Sequence, residues 1–465
     1  MTIWVPRIQQ NSAVKYTGIV DAIESDIKQR LIKPGDKLPA QRHIAEALNI
    51  DLTTVTRAIN EAAKRGLVET QPGSGCFVAQ TAFQHYNSTS LTAGKPLDLS
   101  MNNPPQPSSF KLEQEVALAL QVISDSSSSP LEQLNYQETA GHPSDREAGK
   151  SWLSSKISDV DTDKLLIANG AHSALFSILS YLKKSGLTKL AAPDFSYPGL
   201  RSIADHFDID VYGIEMDKDG IIPASLERLC QQQQPQALYL IPNIDNPTTT
   251  TIPLSRRNEI VAIAVKYDLT LIEDDPYFTF LDTPIRSFYS LLPDNTWHIA
   301  TLSKCISPAL RVAYVVAPSS EQALALAEEI RVSHLMAPPL MVAVVSHWIR
   351  SGRIIDITTA VKTENRHRQQ LAVNIFNSKN IWLHPAGPHF WLQLPKVHRA
   401  LDFAEQAERS GVSIVPSTAF VTARCRLQAV RISLGVAADH DELEKALRLL
   451  VDLQQANQVR SRSIV

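Results

Sequence analysis

Strand-like apolar runs alternate with helical segments through the middle of this chain. KLLIAN precedes the helical segment GAHSALFSILSYLKKSG, and the runs TKLAAP, ALYLIPN, LTLIEDD and HIATLSK follow in order. Regular alternation of this kind is typical of helices packed on a mainly parallel sheet. The pattern therefore predicts an α/β body. It also predicts that ligands bind beyond the carboxyl ends of the strands.

Polar side chains, together with main-chain amides at one helix start, cluster at these predicted strand ends. They are Ala171 and His172 at a helix start, Tyr197, Asn246, Asp274 with Tyr277, and Thr301, Ser303 and Lys304 with Arg311 past a turn. Each has an ordinary structural explanation. Asp274 could cap a helix, Asn246 could form an Asn-Pro turn, Tyr197 could be a core residue, and Lys304 could extend to the surface. Their occurrence in order at successive strand ends favours a shared site.

The side chains suit an aldehyde cofactor with a pyridine ring. A desolvated lysine loses its proton easily and attacks carbonyls, so Lys304 could carry the aldehyde. Asp274 could pair with a protonated ring nitrogen and keep the ring an electron sink. Asn246 and Tyr277 could hydrogen-bond a phenolate oxygen, and Tyr197 could stack on the ring.

The remaining groups suit a phosphate. Backbone amides at a helix start, here Ala171 and His172, bind anions, and the hydroxyls of Thr301 and Ser303 can add donors. Arg311 keeps its charge and binds phosphate through two N–H groups. Together the two sets predict a binding site for pyridoxal 5'-phosphate, in which Lys304 is the catalytic residue.

The first eighty residues follow a different plan. They contain ten Lys and Arg against eight Asp and Glu, and three helical segments precede the strand pair LVETQ and CFVAQ. Helix, turn, helix and wing is the winged helix-turn-helix order, although a generic three-helix bundle shares its periodicity. Polar groups at the third helix and the wing could contact bases and phosphates. These candidate DNA-binding residues are Arg42, Thr53, Thr54, Thr56, Arg57 and Gly75.

This N-terminal part of the chain, called the head below, resembles the GntR-type DNA-binding domain over residues 14–79. The lead-in PGDKLP-x-x-R, the recognition helix TTV-x-RA and the wing G-x-G-x-F-V are all present. Many relatives carry Arg or Ser just before the Thr pair, where this chain has Asp51 and Leu52. Asp51 is a good helix N-cap, but Leu52 cannot read a guanine, so the operator preference of relatives does not transfer.

The body resembles fold-type I, subgroup I aminotransferases. The stretches NPT, DDPY, SKCISPALR, YQETAG and VRISLG match the signatures of that family. The resemblance implies that Tyr136 reaches the cofactor phosphate of the partner subunit, and that Arg431 grips a substrate α-carboxylate. Two positions depart from the family pattern. Thr249 replaces a glycine after NPT, and His172 replaces a common glutamine.

The combination of head and body resembles the MocR-type transcriptional regulators. It implies a winged helix-turn-helix domain at 14–79, a linker at 80–96 and an aminotransferase-like body at 97–460. The body has a large part at about 150–330 and a small part at about 331–460. The resemblance further implies a cytoplasmic, head-to-tail homodimer that binds operator DNA and senses pyridoxal phosphate or an amino compound.

Two other functions remain open. One is a working aminotransferase with an accessory DNA-binding head, since the catalytic-type residues are retained. The other is a regulator whose body only dimerises, against which Lys304 argues. The net charge of −3 does not indicate membrane or general nucleic-acid binding, and the four dispersed cysteines favour neither a metal site nor disulfides.

Overall fold

The structure is a computed structural model, and the chain divides into two compact units, residues 1–96 and 97–465. It describes residues 15–28, 32, 35–64, 67–71, 75–79, 96–109, 111–126, 134–154, 157, 160–376, 380–395, 398–422 and 427–462. The predicted linker at 80–96 lies outside the described residues except for Pro96. Within the described part of the chain, no helix is long and apolar enough to cross a membrane.

The head contains three helices and a two-stranded antiparallel wing. They are α1 (Lys15–Lys28), α2 (Gln41–Leu48), α3 (Leu52–Lys64), β1 (Val68–Gln71) and β2 (Gly75–Val78). Apolar side chains at helical spacing close a single core. Its members include Ile19, Ile23, Ile44, Val55, Ile59 and Val78. The predicted order of helix, turn, helix and wing is therefore observed.

The body begins with a short strand and two helices and continues with alternating strands and helices. The elements up to the large sheet's last strand are β3 (Leu97–Asp98), α4 (Leu112–Ser126), α5 (Pro143–Ser154), β4 (Leu165–Ala168), α6 (Ala171–Lys184), β5 (Lys189–Pro193), α7 (Pro198–His206), β6 (Asp210–Ile214), β7 (Met216–Asp217), β8 (Gly220–Ile221), α8 (Pro223–Gln233), β9 (Ala237–Leu240), α9 (Leu254–Lys266), β10 (Thr270–Asp275), α10 (Phe288–Leu291), β11 (Thr296–Thr301) and β12 (Ala313–Val316). Short 3-10 turns occupy Thr162–Lys164, Phe278–Phe280, Pro293–Asn295, Pro308–Leu310 and Ser417–Ala419.

Seven of these strands form one sheet in the order β4-β12-β11-β10-β9-β5-β6. All neighbouring pairs are parallel except those of β12, which is antiparallel to both β11 and β4. Strands such as β9 and β12 are buried along their whole length, as expected where helices cover both faces of a sheet. The predicted α/β body with a mainly parallel sheet is confirmed.

The last third of the chain adds helices, the first of which packs against α6, and a smaller antiparallel sheet. Its elements are α11 (Ser320–His334), α12 (Pro339–Arg350), α13 (Arg353–Phe376), β13 (Ile381–Leu383), β14 (His389–Gln393), α14 (Ala400–Arg409), β15 (Val412–Ser413), β16 (Val415–Pro416), β17 (Ala429–Ser433) and α15 (His440–Arg462). Four strands pair in the antiparallel order β13-β14-β17-β16. Strand β15 pairs in parallel with β3, so the first residues of the body are held against its last part.

Candidate functional site

The predicted cofactor residues lie along one edge of the large sheet. Asp274 is the penultimate residue of β10, and Lys304 follows the end of β11. Arg311 comes just before β12, and because β12 runs antiparallel to its neighbours, its first residue lies at the same edge as their last. This edge collects the carboxyl ends of the parallel strands, where ligands bind in open α/β sheets.

Lys304 is partly buried and held by a main-chain oxygen. Its Nζ donates a hydrogen bond to the carbonyl oxygen of Asn102 at 2.8 Å. Burial, aided by the positive charge of Arg431, lowers the pKa of Lys304 to about 8, although Asp274 acts in the opposite direction. A sizeable neutral fraction near pH 7 to 8 makes this amine a competent nucleophile toward an aldehyde.

Asp274 is a buried carboxylate with one free oxygen. Oδ2 accepts a hydrogen bond from the hydroxyl of Tyr239 at 2.7 Å, whereas Oδ1 has no partner among the described residues. Burial raises the pKa of Asp274 to about 6, against the lowering effects of the Tyr239 hydrogen bond and the nearby Lys304. Buried polar atoms normally have partners. A protonated ring nitrogen would supply the missing donor.

Arg431 is a buried guanidinium whose hydrogen bonds go to uncharged oxygens. One terminal nitrogen donates to Oδ1 of Asn246 at 2.8 Å, and the other donates to the carbonyl oxygen of Ser100. Nε has no partner among the described residues, and the group lies over the ring of Phe420. Burial lowers the pKa of Arg431 to about 10, so it stays charged at neutral pH. This arrangement suits a carboxylate ligand.

Arg311 lies close to Gly170, beside the helix start that was predicted to bind a phosphate. Gly170 precedes α6 with a φ of 82°, and a Cβ built there would lie 2.8 Å from Cζ of Arg311. The guanidinium donates to the carbonyl oxygen of Asn169 at 2.9 Å. On the neighbouring turn the hydroxyls of Thr301 and Ser303 are 3.2 Å apart. An arginine, two hydroxyls and the helix start provide donors for a phosphate.

Tyr197, which was predicted to stack on the cofactor ring, contacts His172. The hydroxyl of Tyr197 lies 3.2 Å from Nδ1 of His172, and the rings meet edge to face at 6.2 Å. Burial, together with the charge of Arg311, lowers the pKa of His172, so the imidazole is neutral at pH 7. Tyr197 stands immediately before α7. These two aromatic side chains lie side by side at the starts of α6 and α7.

Several polar residues of the site have no obvious sequence signal. Asn102 donates from Nδ2 to the hydroxyl of Tyr277 at 2.8 Å, and Nδ2 lies 3.1 Å from Nδ1 of His389. Tyr239, the partner of Asp274, is in the apolar-looking strand β9, and Ser100 is in a loop. Each belongs to the site only because distant segments fold against the strand ends.

Two residues singled out by the resemblance have distinct surroundings. Tyr136 is 83% exposed, and the described part of the chain leaves its ring uncovered. Thr249 adopts a left-handed backbone conformation with a φ of 64°, the region that favours glycine. Its main-chain N–H donates to the carbonyl oxygen of Asp245 at 2.7 Å, which holds the loop in this conformation.

The head presents a partly free polar face. Arg42 and Thr53 are exposed, and Thr54 is half-buried. The hydroxyl and main-chain N–H of Thr53 both bond Oδ1 of Asp51, at 2.5 and 2.7 Å, so Asp51 caps α3. Gly75 opens the second wing strand with a φ of 111°.

Two other predicted DNA contacts are engaged within the head. The hydroxyl of Thr56 lies 2.8 Å from Oε1 of Gln41 and 3.0 Å from the carbonyl oxygen of Leu52. It therefore links α3 to α2. The guanidinium of Arg57 stacks on the ring of Tyr16, 4.3 Å from its centroid. This contact orients the Arg57 side chain.

Family models match both units. The model for aminotransferase class I and II matches residues 94–450, and the model for bacterial regulatory proteins of the gntR family matches residues 15–78. The first match covers more than half of the chain.

Proteins named as HTH-type transcriptional regulators are similar to this chain. The chain is 27% identical over 96% of both chains to the uncharacterized HTH-type transcriptional regulator YdeF of Bacillus subtilis. It is 26% identical over 62% of its length and 60% of the relative's to the HTH-type transcriptional regulator TauR of Rhodobacter capsulatus.

Solved aminotransferases share the fold of the body. An archaeal alanine:glyoxylate aminotransferase aligns with a TM-score of 0.71 at 19% identity over 80% of this chain and 94% of its own. The α-aminoadipate aminotransferase LysN of Thermus thermophilus aligns with a TM-score of 0.69 at 22% identity, over 87% and 99% respectively. The chain belongs to the class I and II aminotransferase family and carries an N-terminal domain of the gntR family, the MocR-type combination predicted from its sequence.

Proposed function

We propose that this protein is a DNA-binding transcriptional regulator whose body binds pyridoxal phosphate and an amino compound. The gntR-family head and the relatives named as HTH-type transcriptional regulators support the first part. The second part depends mainly on one observation. Lys304, with a pKa of about 8, and Asp274, with a free buried oxygen, occupy the same strand edge. Together they suit a site that binds an aldehyde through the amine and a protonated ring nitrogen through the carboxylate.

Each predicted group of the body would then hold one part of the cofactor. Lys304 would bind its aldehyde carbon, Asp274 would hold the ring nitrogen as a protonated N–H, and Tyr197 would lie against the ring. Gly170 and Arg311 would bind its phosphate, with Thr301, Ser303 and the amides of Ala171 and His172. Bound pyridoxal phosphate supplies an electron sink for chemistry at the carbon next to an amine.

The amino compound would be selected by charge. Arg431 is buried and charged, and its partners Asn246 and Ser100 offer uncharged oxygens. A carboxylate that replaced one of these oxygens would form a charge-assisted, two-pronged pair with the guanidinium. The effector class that fits is therefore an amine that also carries a carboxylate.

We also propose that the protein acts as a homodimer. Tyr136 is exposed in this chain although the family resemblance assigns it to a cofactor phosphate. A second subunit would give the side chain that role, with the bodies paired head to tail. Operator DNA would then contact two heads.

The proposal is tested by measuring operator affinity in three states of the full chain. DNA fragments retained by the purified protein are first sequenced to identify an operator. Affinity is then measured without cofactor, with pyridoxal phosphate, and with pyridoxal phosphate plus candidate amino acids. Coupling between two ligands is reciprocal, and a typical free energy of about 1 to 3 kcal/mol corresponds to a change of about five- to 150-fold.

The alternative is an aminotransferase with an accessory head. Retention of Lys304, Asp274 and Arg431 in one site favours it. Equal operator affinity in all three states, together with rapid multiple-turnover transamination, would establish the enzyme and reject the regulator. Protein that stays colourless with added pyridoxal phosphate would reject both.

A further inference from the structure

Asn102, which was not predicted from the sequence, contacts three residues of the site: Tyr277, His389 and Lys304. It follows β3 in the first segment of the body, and its side chain is only 6% exposed. Nδ2 donates to the hydroxyl of Tyr277 at 2.8 Å and lies 3.1 Å from Nδ1 of His389. The main-chain oxygen of the same residue accepts from Nζ of Lys304 at 2.8 Å.

The orientation of the Asn102 amide follows from its neighbours. Nε2 of His389 lies 3.2 Å from the main-chain oxygen of Asp245, which can only accept, so Nε2 carries the hydrogen. Burial lowers the pKa of His389 to about 3, so the ring is neutral and Nδ1 has a lone pair. Asn102 must therefore turn its NH₂ group toward His389, and the same NH₂ group reaches Tyr277.

This orientation sets the role of the Tyr277 hydroxyl. Its oxygen accepts a hydrogen from Asn102, so its single proton is available to another acceptor. Burial raises the pKa of Tyr277 above its ordinary value, which keeps the hydroxyl protonated. Tyr277 was predicted to contact a phenolate oxygen of the cofactor, and a protonated hydroxyl is the form that can donate to it.

We propose that Asn102 is a positioning residue that makes Tyr277 a hydrogen-bond donor to the ring oxygen of bound pyridoxal phosphate, and that His389 fixes its orientation. The inference rests on the proposed function, since it requires the cofactor at Lys304. It assigns a role to the segment after β3. It also explains why a neutral histidine is buried against the carbonyl of Asp245.

The test is a pH titration of visible absorbance in the full chain reconstituted with pyridoxal phosphate. Without an oriented Tyr277 donor, the cofactor ring oxygen becomes a stronger base, and the proton it shares with the Lys304 nitrogen is held to higher pH. Asn102→Leu should therefore raise the titration midpoint by about one pH unit, as expected for one lost hydrogen bond to a charged group. Asn102→Asp should raise it as well, because its carboxylate would accept the hydrogen bond of the Tyr277 hydroxyl and so withdraw that donor from the cofactor.

Matched variants separate orientation from general damage. Asn103→Leu removes an amide one position along the same segment and should leave the midpoint unchanged. His389→Gln keeps an acceptor oxygen for Asn102 and should remain close to the wild-type midpoint, whereas His389→Leu should shift it as Asn102→Leu does.

A cofactor-free readout completes the test. Lys304 bonds the main-chain oxygen of Asn102, which every substitution retains. The pH dependence of Lys304 acetylation, followed by mass spectrometry in the absence of cofactor, should therefore be unchanged in Asn102→Leu. Wild-type protein that titrates in the visible, with Asn102→Leu titrating at the same pH, would overturn this inference alone. Wild-type protein without a visible band would overturn the proposed function and this inference with it.

Discussion

The polar and charged groups of the candidate site in the body differ in exposure from those on the polar face of the head. In the body, Asp274 and Arg431 are buried, and each keeps an atom without a partner among the described residues. In the head, Arg42 and Thr53 are exposed, and Arg57 lies on the ring of Tyr16. The candidate site of the body therefore holds its charges away from water, whereas the polar face of the head exposes them.

The difference predicts two kinds of response. Burial strengthens electrostatic interactions and shifts pKa values, so one substitution in the body should have a large, pH-dependent effect. Exposed charges are screened by salt, so one substitution in the head should have a graded, salt-dependent effect. Five experiments can break or sharpen this contrast.

The largest effect is expected at Lys304. Lys304→Ala should abolish the borohydride-reducible attachment of pyridoxal phosphate, because the only attacking amine of the proposed site is removed. Mass spectrometry of the reduced protein measures this directly. Lys164→Ala is the matched control, because Lys164 precedes the first residue of β4 and lies outside the proposed site. Its Nζ donates to the carbonyl oxygen of Pro318. Attachment that survives in Lys304→Ala would place the cofactor elsewhere.

The next effect is expected at Asp274. Asp274→Asn keeps the size of the side chain but removes the charge that would face the ring nitrogen. Loss of a charge-assisted hydrogen bond should weaken cofactor binding by about 10- to 100-fold. Equilibrium dialysis with pyridoxal phosphate measures the change. An unaltered affinity would show that the free oxygen of Asp274 does not meet the ring.

The same variant should have a pH-dependent effect on stability without cofactor. Burial raises the pKa of Asp274 from 3.8 to about 6, so the folded state binds the proton more tightly than the unfolded state. The contribution of Asp274 to the free energy of unfolding is therefore fully present below pH 4. It falls by up to about 3 kcal/mol as the pH rises through 6. Asp274→Asn should raise the unfolding temperature at pH 7.5 and leave it nearly unchanged at pH 4. A lower unfolding temperature of Asp274→Asn than of the wild type at pH 7.5 would mean that the folded state stabilises the ionised carboxylate.

A smaller, salt-dependent effect is expected in the head. Arg42→Ala and Arg57→Ala should each reduce the slope of log affinity against log salt by about one, as expected for one lost phosphate contact. Tyr16→Leu should act like Arg57→Ala if the ring orients the guanidinium. Arg409→Ala, at an exposed arginine of the body, is the control. Unchanged slopes in both head variants would reject the proposed DNA face.

The smallest effect is expected at Thr56. Its hydroxyl links α3 to Gln41 of α2, so Thr56→Val should destabilise the head by about 1 kcal/mol and accelerate amide exchange in both helices. Base preference in a selection from random DNA should stay the same. Thr54→Val, two residues earlier on α3, should alter base preference instead. A changed base preference in Thr56→Val would show that the Thr56 hydroxyl contacts a base.

Much of the fold follows from local pattern. Helical spacing of Ile19 and Ile23 predicted α1, and the turn residues between LVETQ and CFVAQ predicted the wing, because both depend on neighbouring residues. The antiparallel β12 was not predicted. Its apolar sequence suits either direction, and only the short connection from β11 decides it.

The site divides in the same way. Lys304, Asp274 and Arg311 were predicted because each lies at or next to the end of a strand, at the same edge of the sheet. Asn102 and Tyr239 were missed, since an asparagine in a proline-rich loop and a tyrosine in an apolar strand carry no local signal. Asn102 meets Lys304, Tyr277 and His389 only after segments far apart in the chain pack together.

The sequence by itself determined the order of elements, the two units and the chemical groups brought to the strand ends, because periodicity and residue chemistry are properties of short stretches. Only the tertiary structure decided how those groups are poised. Burial of Lys304 and Asp274 shifts their pKa values, and the packing leaves one oxygen of Asp274 without a donor. Desolvation and hydrogen-bond partners depend on every segment that surrounds a group, so they exist only once the chain has folded.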